Sequence, residues 1–189
     1  MSYIIPVGET ALAAQAHMRE VAEKKGLEAL VNHAVIHKAE DGAARDADYP
    51  VDFIPAATRA GLAGWLSMPF AVVAALYSVF ADNVPAAQTP IVLNNQVWVF
   101  YGASIIDAIN PDAGGELFFG IGTANNRKAQ FDLEKLYSKL ETDGYFSEPV
   151  VYAPQDIVTV QVRARLATGV GWRLQLKTLI CEPLQQSVV

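Results

Sequence analysis

Two of the three histidines, His33 and His37, stand four residues apart, the spacing at which a helix can present two imidazoles to one metal ion. No glutamate follows His33 directly, so the metalloprotease pattern is absent. A metal-binding barrel would need histidines on its strands, and all three (His17, His33, His37) precede the strand-rich half. The expectation is ordinary surface or capping histidines and no metal site. Asp41, Asp46, Asp48 and Asp52 lack the Asp-x-Asp-x-Asp-Gly spacing of a calcium loop and read as a solvated loop. Gly120-Ile121-Gly122 follows an apolar run as in dinucleotide-binding loops. Asn occupies position 125, however, and no strand-helix-strand context follows, so these are turn glycines. Cys181 lies in an apolar strand beside Glu182 and Pro183, with no histidine near it in sequence, and reads as a small hydrophobe. Neither a nucleophile nor a cofactor is expected, and the chain reads as non-catalytic.

Two groups of residues point instead to interactions. Arg163, Arg165, Arg173 and Lys177 fall on the wet face of one predicted hairpin. There they would meet an acidic partner, an anion or acidic residues of a neighbouring subunit. The plainer reading has them balanced by Asp132, Glu134 and Glu141 on a short helix. The second group lies in Gly61 to Ala81, twenty-one consecutive residues without a charge. That length meets the requirement for a membrane span. Pro69, two glycines, two serines and many alanines equally allow a buried helix or a strand pair broken at Pro69. A third reading is an apolar surface packed against identical subunits, with Trp65, Phe70, Val73, Leu76 and Phe80 as its interface residues.

The elements that must position these residues change in kind along the chain. Ala11 to Lys25 is rich in strong helix formers, starts after Glu9 and Thr10, and is expected to stop at Gly26. Leu27 to Lys38 is read as a second helix from the stripe Leu27, Leu30, Val31, Ala34, Val35, although Val31, His33, Val35 and His37 also alternate as a strand would. The Asp- and Pro-rich stretch 40–55 reads as loop. After Pro90 the period becomes that of strands. Runs 96–106 and 116–122 are expected to pair or neighbour each other across the turn at 110–115. Leu133, Leu136, Tyr137 and Leu140 place a short helix within 131–140. Strands 156–166 and 172–180 alternate apolar and polar residues, with Trp172 on the buried face, and are expected to form an antiparallel ladder; Trp98 is likewise placed on a buried sheet face.

With 189 residues the chain is long enough to bury a core without metal or disulfide support, and a lone cysteine permits no internal disulfide. Hydrophobic residues reach 52% and charged ones only 18%, against the usual ~25%, which excludes disorder of the whole chain. A net charge of -6 with no basic run disfavours direct nucleic-acid binding. The first residues lack the basic and apolar regions of a secretion signal, so the protein is expected to stay where it is made.

The C-terminal phrases ELFFGIGTANN (116–126), EPVVYAPQDIVTVQVRA (148–164) and WRLQLKTLICEPL (172–184), with the short helix between the first two, resemble jelly-roll or β-sandwich domains of viral and phage capsid and decoration proteins. The resemblance covers about residues 90 to 184. The change of hydrophobic period near Pro90 already gives an α+β chain, N-terminal helices followed by an antiparallel β-sandwich with one short inserted helix, and the resemblance makes that sandwich jelly-roll-like. Residues 1–60 would form a helical arm and loop, and 61–189 the sandwich with its apolar lead-in. A full eight-stranded barrel would require two strands from about 69–92. The implied function is that of a virion structural subunit, assembled in a host cytoplasm, with copies of itself and other virion proteins as partners. The alternatives are a β-sandwich binding domain of unknown ligand and a protein anchored in a membrane through 61–81.

Overall fold

The computed structural model describes residues 3–6, 12–33, 51–55, 65–68, 70–80, 90–105, 110–122, 126–137, 143–168 and 172–183. In chain order the elements are β1 (Ile4–Pro6), α1 (Leu12–Asn32), β2 (Val51–Pro55), β3 (Trp65–Met68), β4 (Leu76–Ser78), β5 (Val97–Ile105), β6 (Gly114–Ile121), β7 (Asn126–Asp132), α2 (Glu134–Tyr137), β8 (Asp143–Tyr152), β9 (Val158–Ala164) and β10 (Trp172–Pro183). The strands form two antiparallel sheets. One is six-stranded, ordered β1-β8-β5-β10-β2, with β3 also on β10; the other is four-stranded, ordered β4-β9-β6-β7. β2 and β3 occupy one edge of β10 end to end, opposite 179–183 and 172–175 respectively.

The alternation in β9 and β10 has the expected sense. Val158, Val160 and Val162 face inward, as do Trp172, Leu174 and Leu176. The expected ladder between these two strands does not form, because β9 pairs with β4 and β6 while β10 pairs with β5, β2 and β3. An alternating strand satisfies its apolar side equally well beside a partner or opposite one. Residues 165–171 are long enough to cross the roughly 10 Å between stacked sheets. β5 and β6 likewise do not pair. They oppose each other across the core, with the rings of Phe100 and Phe119 at 5.3 Å. From β3 onward the chain visits the six-stranded sheet with β3, β5, β8 and β10, and the four-stranded sheet with β4, the β6-β7 hairpin and β9.

The inner faces enclose an aromatic centre in which Phe131 stacks on Phe146 at 4.0 Å and Phe119 meets both edge-on. Its walls are the inward Val, Leu and Ile residues of both sheets. A smaller core lies on the outer face of the six-stranded sheet, where Ala22, Ala29 and Leu30 of α1 pack on Val97, Val99, Leu179 and Cys181. β5 is therefore buried on both faces, which accounts for its nearly continuous apolar run.

Several expectations are corrected. α1 runs through Gly26 to Asn32 as one helix, so the expected break and the separate second helix are absent; 34–38 lie outside the described residues. Gly26 is there for close approach, since a Cβ at this position would collide with the Cys181 thiol. Residues 4–6 and 51–55, expected in an arm and loop, are strands of the six-stranded sheet. The alternating directions of β1, β8, β5, β10 and β2 make β1 and β2 parallel, so α1 is a crossover between strands at opposite ends of the sheet and not a projecting arm. The inserted helix is described at Glu134–Tyr137, and 138–140 lie outside the described residues. Phe131 belongs to β7, opposite Leu117, and the Asp132 carboxylate accepts the Glu134 N–H at 2.8 Å, capping the helix there. No helix among the described residues is long and apolar enough to cross a membrane. The uncharged stretch supplies β3 and β4, one to each sheet, on either side of Pro69.

Candidate interaction surface

The five apolar candidates separate. Phe70 and Phe80 are buried in the chain's own core and are thereby removed from any surface. Only the backbone of Trp65 lies among the described residues, in β3. Val73 and Leu76 are exposed, and Val72 beside them is 61% exposed, the most open of the large apolar side chains among the described residues. The tip that carries them is firmly held. The Phe70 ring lies 4.9 Å from that of Tyr77 and 5.2 Å from Trp172. The Phe70 N–H donates to Thr168 Oγ1 at 2.9 Å, and the Thr168 N–H returns to the Phe70 carbonyl. The Tyr77 hydroxyl accepts the Val72 N–H at 2.8 Å. Ala74 donates to the Ala164 carbonyl at 2.8 Å. Since 70 meets 168 and 74 meets 164, the exposed Leu166 lies beside Val72. Val72, Val73, Leu76 and Leu166 thus make an uncharged, preorganised ridge at the β4 rim. Neither Val72 nor Leu166 stands out in the sequence, because their exposure depends on where residues 164–168 cross the turn.

Ala74 has φ of 64°, the left-handed region that costs a residue with a Cβ on the order of 1 kcal/mol. Ala74→Gly should therefore stabilise the fold by up to about 1 kcal/mol, the loss of chain entropy at glycine taking back part of the gain. A denaturant midpoint at or below that of the wild type would contradict this.

The four cations do not share a face, because their strands belong to different sheets. Arg163 Nη1 pairs with Glu116 Oε2 at 2.5 Å on the outer face of the four-stranded sheet. Glu116 also accepts from Gln130 at 2.7 Å. The guanidinium groups of Arg163 and Arg127 cover the Phe118 ring at 5.0 and 4.4 Å, so this outward phenylalanine is nearly fully buried without joining the core. Arg165 lies 3.7 Å from Glu134, the short-helix partner anticipated from sequence. On the other sheet Lys177 pairs with Asp143 at 2.8 Å, while Ser104 donates to the same carboxylate. Arg173 is exposed. Exposed pairs of this kind contribute about 0 to 1 kcal/mol each. They shape two polar faces and concentrate no positive charge.

The remaining candidates carry little chemistry. His17 and His33 are exposed, His17 within 3.7 Å of Glu20, and His37 lies outside the described residues, as do Asp41, Asp46 and Asp48. Among the described residues no group of three metal-ligating side chains comes together. Gly122 has φ of 75° and follows β6 as a turn glycine, whereas Gly120, also expected in the turn, lies within the strand opposite Arg127 and Thr159. Cys181 is wholly buried, and that burial, reinforced by Glu23, pushes its thiol up to about 12. Two open grooves of about 760 and 360 Å³ run beside β7 and share Lys128 and Ala129. Burial draws Lys128 below the ordinary lysine value, opposed by Asp156. Compared with protein-family models and with curated proteins, the chain matches none.

Proposed function

We propose that this chain is a non-catalytic structural subunit of a virus or phage particle, built as a jelly roll and assembling through the apolar ridge at the β4 rim. A jelly roll is a double sheet of eight strands arranged as two Greek keys. Taking β2 and β3 as one interrupted edge strand, the orders β3-β10-β5-β8 and β4-β9-β6-β7, visited alternately by the chain, fit that description. β1 and α1 are then additions to the six-stranded sheet. Jelly rolls also serve as lectins and cupins, so strand order does not by itself choose a function. A metal-binding cupin needs strand histidines, and this sequence places all three before β2.

The observation that carries the assembly reading is the rigid ridge of Val72, Val73, Leu76 and Leu166. Preorganised apolar surface loses little entropy on binding and marks partner sites. Copies of the same chain and other virion proteins are the partners this reading supplies, and the virion is its location. Val73→Asp, at a site 53% exposed, should leave the melting temperature within about 2 °C of the wild type while abolishing the assembled species in sedimentation velocity. A wild-type chain that stays monomeric at high concentration refutes self-assembly. A Val73→Asp variant that assembles normally places the interface elsewhere.

A further inference from the structure

One rim of the sandwich is defended while the other is not. Among the described residues, β7 ends the four-stranded sheet and pairs only with β6. Next to it in the other sheet, β1 pairs with β8 at 144–146 and Tyr3 bonds Ser147, and no other described strand covers that outer edge. The two grooves follow this rim, so two strand edges with unpaired backbone groups would face an incoming chain there. Such an edge is a template for strand addition unless something blocks it.

Two residues do so here. Lys128 reaches from β7 across to β8, and its Nζ donates to the Val151 carbonyl at 2.5 Å, 3.7 Å from Asp156 and 4.7 Å above the Tyr152 ring. The Val151 carbonyl therefore points outward. Pro149 lines the smaller groove together with Lys128, at the end of the irregular stretch where the partner of β5 jumps from Tyr145 to Val150. Proline there has no N–H to offer. Farther along, the outward Ser147 N–H is already taken by the Tyr3 carbonyl at 2.8 Å. The exposed edge of β8 thus presents a capped acceptor and a missing donor, while β7 displays Arg127 and Lys128. The β4 rim carries no charge from Phe70 to Phe80.

We infer that Lys128 and Pro149 act together as a stop that prevents a second copy of this chain from adding a strand to the β7–β8 rim, confining self-association to other surfaces. This does not depend on the virion reading. The test is sedimentation equilibrium of Lys128→Thr/Pro149→Thr against wild type, both in a Val73→Asp background so that the apolar ridge does not contribute. Each restored backbone hydrogen bond stabilises by roughly 1 kcal/mol, so self-association should rise about tenfold or more, with new amide-exchange protection at Val151. Pro149→Ala alone, which restores the N–H with little other change, keeps the test decisive if the double variant fails to fold. Folded variants that associate no more tightly than the Val73→Asp parent would overturn the inference. So would tighter association without protection at Val151.

Discussion

Trp172→Ala should lower stability by about 3 to 5 kcal/mol, the range for removing a large aromatic from a packed core, which in a chain of this size corresponds to roughly 6 to 20 °C in melting temperature. The indole is fully buried at the start of β10. Phe70 packs on one side of it, and Gly114 lies so close that a Cβ at that position would come within 2.6 Å of the six-membered ring. The indole N–H has no hydrogen-bond partner among the described residues, so the loss is one of packing. Trp172→Phe should accordingly cost under about 2 kcal/mol. Because Phe70 bridges Trp172 and Tyr77, the alanine variant should also loosen the Val72–Leu76 turn and weaken assembly at temperatures where the fold survives. A melting temperature equal to that of the wild type would remove Trp172 from the core.

Gly26→Leu is expected to cost about 1 to 3 kcal/mol, although leucine is the better helix former by close to 1 kcal/mol. Even a Cβ at this position would enter the van der Waals shell of the Cys181 thiol and approach Val99 Cγ2 to 3.3 Å. A branched side chain must therefore lift α1 from the six-stranded sheet. Thiol chemistry reads this directly. In the wild type, burial keeps the Cys181 thiol protonated up to about 12, so maleimide labelling at pH 9 should be slow; in Gly26→Leu it should be fast. The raised value has a further consequence. The thiol's stabilising contribution is complete below its unfolded value of 9.0 and declines as pH rises toward about 12, because the unfolded chain loses the proton first. Equal labelling rates in the two proteins would show that α1 is not displaced.

What the sequence by itself determined was sidedness. The period of two in 158–164 and 172–176 assigned Val160, Val162, Trp172 and Leu174 to the interior, the aromatic run at 97–100 placed Trp98 inside, and the apolar setting of Cys181 identified an inert thiol. These are local properties, because a strand turns alternate side chains to opposite faces whatever lies next to it. Only the tertiary structure decided which strand lies beside which. β9 and β10 read as a hairpin and stand in different sheets, so Arg163 and Lys177 are on opposite layers of the molecule. β7 is nearly all polar and becomes a strand because it completes an edge against β6, a pairing its own residues do not announce. Gly26 carries the usual mark of a helix stop, yet it lies inside α1 because Cys181, 155 residues later, needs the space its missing side chain leaves. The uncharged stretch 61–81 was compatible with a bilayer, a core or an interface; the fold divided it, burying Phe70 and Phe80 while leaving Val72 and Val73 to solvent. Hydrophobic pattern fixes the face a residue prefers, whereas pairing, close approach and exposure depend on contacts between segments far apart in the chain.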